Sequence, residues 1–75
     1  MAHYFFELVT DHGDVLQDDG GEEFGLVEEA RGHALRVASE LGRNHEPGSI
    51  AGKFITVLDG NGIVVFKTPL RTFRP

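Results

Sequence analysis

The chain has 75 residues, a net charge of −5 and no cysteine. That length fits one domain, and without cysteine neither a disulfide nor a thiolate zinc site can form. No stretch approaches the roughly 20 apolar residues that cross a bilayer, and the first residues lack the basic start and apolar run of a signal peptide. The composition therefore predicts a single cytoplasmic domain over residues 1–75, with an ordered core at 3–70 and no membrane partner.

The charges are distributed unevenly along the chain. Residues 1–30 contain nine acids and no Lys or Arg, whereas residues 31–75 contain seven bases and three acids. An acidic total opposes general nucleic-acid binding, which depends on neutralising phosphates. Two interpretations of the uneven charge stay open: a solvated surface with some pairing inside the fold, or a contact that uses the polarity to bind a partner.

The first elements predict a β-hairpin. Residues 3–9 are rich in aromatic and branched side chains, which favours a strand. Residues 11–14 have the Asp and Gly of a turn, and residues 15–17 return as a short second strand. An acidic, glycine-bearing connection at residues 18–23 then leads into a helix.

Residues 26–43 carry the helical periodicity of the chain. At 100° per residue the apolar side chains fall within about one third of the circle, which is typical of an amphipathic helix. These side chains are Leu26, Val27, Ala30, Ala34, Val37, Ala38 and Leu41. Leu35 is the one misfit, because it falls on the polar side. Gly25 is the predicted N-cap, and either Gly42 or Asn44 is predicted to end the helix.

The last elements predict a second hairpin. Residues 53–58 and 63–68 read as strands, and the Asp-Gly and Asn-Gly pairs between them favour a tight turn. Pro69 cannot donate a ladder hydrogen bond and is predicted to close the last strand. The order ββαββ predicts an α+β fold, in which an antiparallel sheet of about four strands carries one helix on one face.

The predicted sheet is apolar on both faces. Four strands make a sheet roughly 19 Å wide, whereas one helix is about 10 Å across and covers about half of one face. Because large exposed apolar patches mark contacts, the sequence predicts a homodimer formed through sheet faces or edge strands. The alternative is a twisted sheet whose remaining apolar surface is covered by loops and tail. The residues available for that cover are Phe24, Ile50, Leu70 and Phe73.

The sequence offers little for catalysis. The two serines, Ser39 and Ser49, follow no strand-to-helix elbow, and no phosphate-cradling glycine loop occurs. The four histidines include no i,i+4 pair on the helix, and the acidic run lacks the spacing of a calcium-binding loop. His33, four residues after Glu29, has the spacing of a helix surface pair. We therefore expect no enzyme, no cofactor and no metal.

The acidic run is the candidate partner surface. Its members are Asp14, Asp18, Asp19, Glu22, Glu23, Glu28 and Glu29. They also suit a turn followed by acids that favour the positive end of a helix dipole. The leading hypothesis is a non-enzymatic interaction module that forms a homodimer. The alternatives are a regulatory binder of a basic protein through residues 14–29, and a binder of a small ligand or divalent metal.

Several motifs resemble a family of short, stand-alone bacterial proteins that form a domain of unknown function. These motifs are the Tyr4-Phe5-Phe6 opening, the Asp-rich turn with Gly20, the Leu/Ala helix, the hairpin Val57-Leu58-Asp59…Gly62-Ile63-Val64, and the closing Pro69-Leu70. The resemblance spans roughly residues 3–70 and implies no catalytic residue and no cofactor. The chain departs from the family pattern at Leu26, where the family places an Asp that caps the helix.

A weaker similarity is to HicB-type antitoxins, in which a small sheet precedes an alanine-bearing helix. The shared texture is a Gly/Asp turn followed by Glu-Glu-Ala in a helix. That similarity implies an acidic surface facing a basic toxin, and it accompanies the regulatory alternative.

Overall fold

The computed structural model describes residues 2–18, 20–44 and 51–70. It contains five strands and one helix: β1 (Ala2–Thr10), β2 (Val15–Asp18), β3 (Glu22–Phe24), α1 (Val27–Asn44), β4 (Lys53–Leu58) and β5 (Val64–Pro69). The predicted α+β class, an antiparallel sheet with one helix packed against it, is confirmed.

The sheet has the order β2-β1-β4-β5, and all its pairings are antiparallel. β2 pairs with β1 at residues 7–9, and β3 pairs with β1 at residues 2–4. The two short strands therefore follow one another along the same edge of β1. The interpretation of residues 18–23 as a plain connection was wrong, because Asp18 ends β2 and Glu22 begins β3.

The core lies between the helix and one face of the sheet. Its buried residues are Tyr4, Phe6, Ala30, Ala34, Ala38, Ile55 and Val57. Ala30 and Ala34 are completely buried, so the alanine stripe does bring the helix axis close to the strands. Phe24 and Leu70 pack against this core, whereas Ile50 and Phe73 lie outside the described residues.

The other face of the sheet is also rich in apolar residues, as predicted. Val9 and Thr56 are buried there, and Phe54 and Leu58 are half-buried. The ammonium of Lys67 lies 4.3 Å from the centre of the Phe54 ring, which places its alkyl stem over that face.

The helix begins one residue later than predicted. Leu26, not Gly25, is the N-cap, because its N–H donates to Oε1 of Glu29 at 2.9 Å while its carbonyl accepts from the Glu29 N–H at 3.1 Å. A glutamate at the third helical position thus supplies the returning half of a capping box. At the other end, Gly42 is a buried residue within the helix, which continues to Asn44.

The two hairpin turns share one geometry. In each, a three-residue loop closes with a glycine at positive φ, Gly13 (89°) or Gly62 (79°). In each, a side-chain oxygen of the residue before the loop accepts two backbone N–H groups. Oδ1 of Asp59 does so at 2.8 and 3.0 Å, and Oγ1 of Thr10 does so at 3.3 and 3.2 Å. A type I turn closed by a left-handed residue is a common form of three-residue hairpin loop.

Candidate interaction surface

β5 forms one edge of the sheet. In the part of the chain that the structure describes, no strand pairs with its outer side. Three consecutive aliphatic side chains lead into this edge: Ile63 is 60%, Val64 53% and Val65 37% exposed. An unpaired strand with exposed aliphatic residues is a template for pairing with another chain. This edge is therefore the strongest candidate for an interface.

The helix contributes Leu35 to the same region. Cζ of Arg31 lies 4.9 Å from the centre of the Phe66 ring, so this flank of the helix lies over β5. Leu35 follows one turn later on that flank and is 49% exposed. The residue that does not fit the helical pattern thus lies beside the exposed edge. We call the four side chains of Leu35, Ile63, Val64 and Val65 the β5 surface, which wraps around the sheet edge: Leu35 lies on the helix side, and Val64, the partner of Leu58, lies on the other side.

The opposite edge of the sheet is acidic and interrupted. It consists of β2, with four residues, and β3, with three. Val15 and Leu16 in β2 are exposed by 51% and 49%, but Asp14 and Asp18 flank them. Short strands and charged side chains are the usual protection of an edge against pairing. The edge formed by β2 and β3 is therefore protected against strand pairing, whereas the β5 edge is not.

The described members of the acidic run are all exposed. They lie at the β1–β2 turn (Asp14), in β2 and β3 (Asp18, Glu22, Glu23) and in the first helical turn (Glu28, Glu29). Asp19 lies outside the described residues. Asp18 is the direct cross-strand partner of Glu7, so two carboxylates face each other across β1 and β2. Like charges at such positions are destabilising.

Pairing between the acidic and basic parts of the chain is weak. The ion pair seen among the described side chains joins His12 to Asp11 at 3.6 Å, both largely exposed. Four of the described bases lie in no ion pair: Arg31, Arg36, Arg43 and Lys67. These four bases therefore do not neutralise the acids of the acidic edge.

His33 is not the surface partner of Glu29 that its spacing predicts. Its ring centre lies 4.9 Å from that of Phe6 and 5.6 Å from that of Phe24, and the side chain is half-buried. The Glu29 carboxylate binds the Leu26 N–H instead. An open groove of about 410 Å³ lies beside His33, with Glu22, Glu29 and Arg36 also lining it. His33 therefore anchors the helix against β1 and β3.

Neither a metal-binding cluster nor a membrane-spanning helix occurs among the described residues. In that part of the chain, no three His, Asp or Glu side chains stand together in a way that could hold a metal ion. None of its helices has the length and apolar character needed to cross a membrane.

These features define a small α+β domain with one protected and one exposed sheet edge. The chain belongs to the family described as "Domain of unknown function (DUF6894)", which matches residues 3–71. The family resemblance carried by the Tyr-Phe-Phe opening, the helix and the second hairpin is thereby confirmed. No similar curated protein and no similar solved structure is found.

Proposed function

We propose that this protein is a non-enzymatic interaction module whose first partner is a second copy of itself. The observation that carries the proposal is the β5 surface, where three consecutive aliphatic residues and Leu35 are exposed at a sheet edge with which no described strand pairs. Runs of exposed apolar residues are costly for solubility unless they serve a contact. A second copy covers the β5 surface with its own, chemically identical β5 surface.

The contrast between the two edges supports the β5 edge as the contact. β2 and β3 are short, and acids lie along them, whereas β5 has six residues. Lys67 is the one charged residue of β5, and its ammonium lies over Phe54 on the sheet face instead of guarding the edge. A symmetric contact through β5 therefore meets little charge repulsion.

Light scattering tests the proposal. We expect a mass of twice 8.2 kDa that persists at high salt, because burial of apolar surface is not screened by ions. A mass of 8.2 kDa at every protein concentration up to the millimolar range would refute the homodimer. A mass that falls to the monomer only at high salt would indicate a charge-driven contact and would also count against the β5 surface.

A second candidate function is the regulatory binding of a basic protein through the acidic edge. The observation that favours it is the Asp18–Glu7 pair, in which two carboxylates face each other across the strands. Positions that break a local rule of stability are frequently functional. A basic partner would relieve this repulsion and would add to the stability of the pair.

The second candidate is tested by charge reversal. A basic protein recovered from lysate by the wild type is expected to be lost when Asp18, Glu22 and Glu23 become Lys. The control compares two variants of equal charge change, Asp18→Lys and Glu40→Lys, since Glu40 is an exposed acid of the helix outside the acidic run. Equal loss with both variants would show that net charge, and not this edge, holds the partner.

A further inference from the structure

We infer that two copies join their β5 strands antiparallel about a two-fold axis that passes beside Phe66, and that Leu35 of one helix meets Leu35 of the other. The inference rests on the proposed homodimer and specifies its interface. It makes the two sheets into one continuous sheet, with both helices on the same face.

Backbone alternation decides which groups β5 presents outward. The Leu70 N–H donates to the Lys53 carbonyl, and the register pairs Thr68 with Ile55. In an antiparallel ladder, bonded and non-bonded positions alternate. Pro69 and Lys67 therefore turn their backbone groups away from β4. The ring nitrogen of Pro69 falls where no donor is needed, which is the position that an edge proline occupies.

The register follows from symmetry. A two-fold axis makes a strand antiparallel to its copy. Because the outward backbone groups of one copy must pair with the outward groups of the other, one residue on the axis lies directly opposite its own copy. Lys67 at the axis would place two ammonium groups opposite each other, which is unfavourable. Val65 at the axis would shorten the overlap, because β5 begins at Val64. Phe66 lies midway along Val64 to Thr68, the part of the strand before the proline.

In the Phe66 register, Val65 of one copy faces Lys67 of the other. The register between β4 and β5 shifts at Val65, so this residue has no directly opposed partner in β4. Lys67 presents its backbone groups outward. The two Val65–Lys67 pairs therefore engage the outward backbone groups of Lys67, and they keep the lysines apart.

The helices reinforce the contact. α1 packs over β4 and β5, with its core residues against Ile55 and Val57 and with Arg31 against Phe66. Joining the sheets at about 4.8 Å places the two helix axes roughly 10–14 Å apart, close to the 8–10 Å of packed helices. The exposed Leu35 side chains lie on the facing flanks. This contact gives a reason for an apolar residue on the polar side of the helix.

Charge favours this arrangement over the other symmetric edge contact. The acidic edge lies three strand spacings from β5, about 14 Å, which exceeds the screening length of about 8–10 Å in physiological salt. Pairing through β5 sends the two acidic edges to opposite ends of the joined sheet. Pairing through β2 and β3 would bring them together.

Cysteine cross-linking tests the register directly, because the chain has no cysteine of its own. In the Phe66 register, the Cα atoms of residues 65 and 67 of opposite copies lie about 5.5 Å apart, within the disulfide range. The Cα atoms of the two copies of residue 65 lie about 8 Å apart, as do those of residue 67, which is beyond the disulfide range. Under oxidation, mixed V65C and K67C proteins are therefore expected to cross-link, and each variant alone is not.

The outcomes separate the register from the dimer. Cross-linking of K67C alone or V65C alone would overturn the Phe66 register while the homodimer stands. A wild-type dimer without any cross-link in the mixture would overturn the β5 contact as a whole. A monomer by light scattering would refute the proposed function itself. Species that grow with concentration would indicate head-to-tail assembly of β5 on the acidic edge, which also overturns the symmetric contact.

Two leucine variants test the helix contact. Leu35→Glu is expected to raise the dimer dissociation constant by about tenfold or more, because it places carboxylates without partners in the interface. Leu26→Glu is the matched control: Leu26 is also exposed, at 62%, but lies at the N-cap. Both variants add one negative charge. Equal effects of the two would overturn the Leu35 contact, and far-UV circular dichroism establishes that both are folded.

Discussion

Gly21 is a position where one added methyl group should strongly destabilise this fold. Its φ is +87°, a conformation that L side chains rarely adopt. A Cβ built there would lie 2.6 Å from Cδ2 of His3 and 2.9 Å from Cδ1 of Phe5. The His3 ring would have to leave the Gly20 carbonyl, to which its Nε2 is bonded at 3.1 Å, and the Phe5 ring, 4.8 Å away.

The free-energy cost of Gly21→Ala has two parts, which a matched control variant separates. Gly13 has nearly the same φ, +89°, but no atom lies within 4 Å of its added Cβ. Gly13→Ala should therefore cost only the backbone strain, about 1 kcal/mol. Gly21→Ala adds the loss of the His3 contacts, which brings the cost to about 2–3 kcal/mol. For a domain of this size, the melting temperature should fall by about 4–8 °C for each kcal/mol.

Urea unfolding of both variants measures the difference. In a His3→Ala background only the Phe5 ring still lies close to the added Cβ, so Gly21→Ala should cost less than in the wild type and move toward the cost of Gly13→Ala. Equal costs of the two glycine variants in the wild-type background would refute the steric argument. Failure of His3→Ala to reduce the cost would show that Phe5 or the backbone is responsible.

Three further predictions concern stability. Asp59→Ala removes the acceptor for the Asn61 and Ile63 N–H groups and should cost about 1–2 kcal/mol in urea unfolding, whereas Asp59→Asn keeps Oδ1 and should cost less. Asp18→Lys replaces a repulsion from Glu7 by an attraction and should stabilise by about 0.2–1 kcal/mol; Asp14→Lys, which has no opposed carboxylate, should not match this gain. Ala34→Leu should cost about 1–3 kcal/mol by overpacking a completely buried position, whereas Glu40→Leu on the exposed side should change thermal stability little.

The elements with strong local signals were predictable from the sequence. The helix, β4 and the Asp59–Gly62 turn depend on periodicity, β-branched residues and turn chemistry, all of which act over a few residues. The sequence does not predict β3, because two of its three residues, Glu22 and Glu23, are of a type depleted in strands. Pairing with β1 and packing of Phe24 on the core determine its conformation. Tertiary contacts overrode the local preference there.

The candidate surface was only partly visible in the sequence. The excess of apolar residues over what one helix can cover was evident, but the strand order was not, so the edge that would carry the exposed residues could not be identified. The sequence did show Leu35 as an apolar residue on the polar side of the helix. That Leu35 lies beside β5 follows only from the Arg31–Phe66 contact, which joins residues far apart in the chain.

The position of β1 between early and late elements has a consequence for how the chain folds. β2, β3 and α1 are complete by Asn44, but β1 also pairs with β4, and the helix packs on β4 and β5. During synthesis the helix therefore leaves the ribosome before most of the surface that buries its alanines exists. Short isolated helices are marginal in water. We therefore expect folding to await the second hairpin, and the domain to form as one cooperative unit after β5 has emerged.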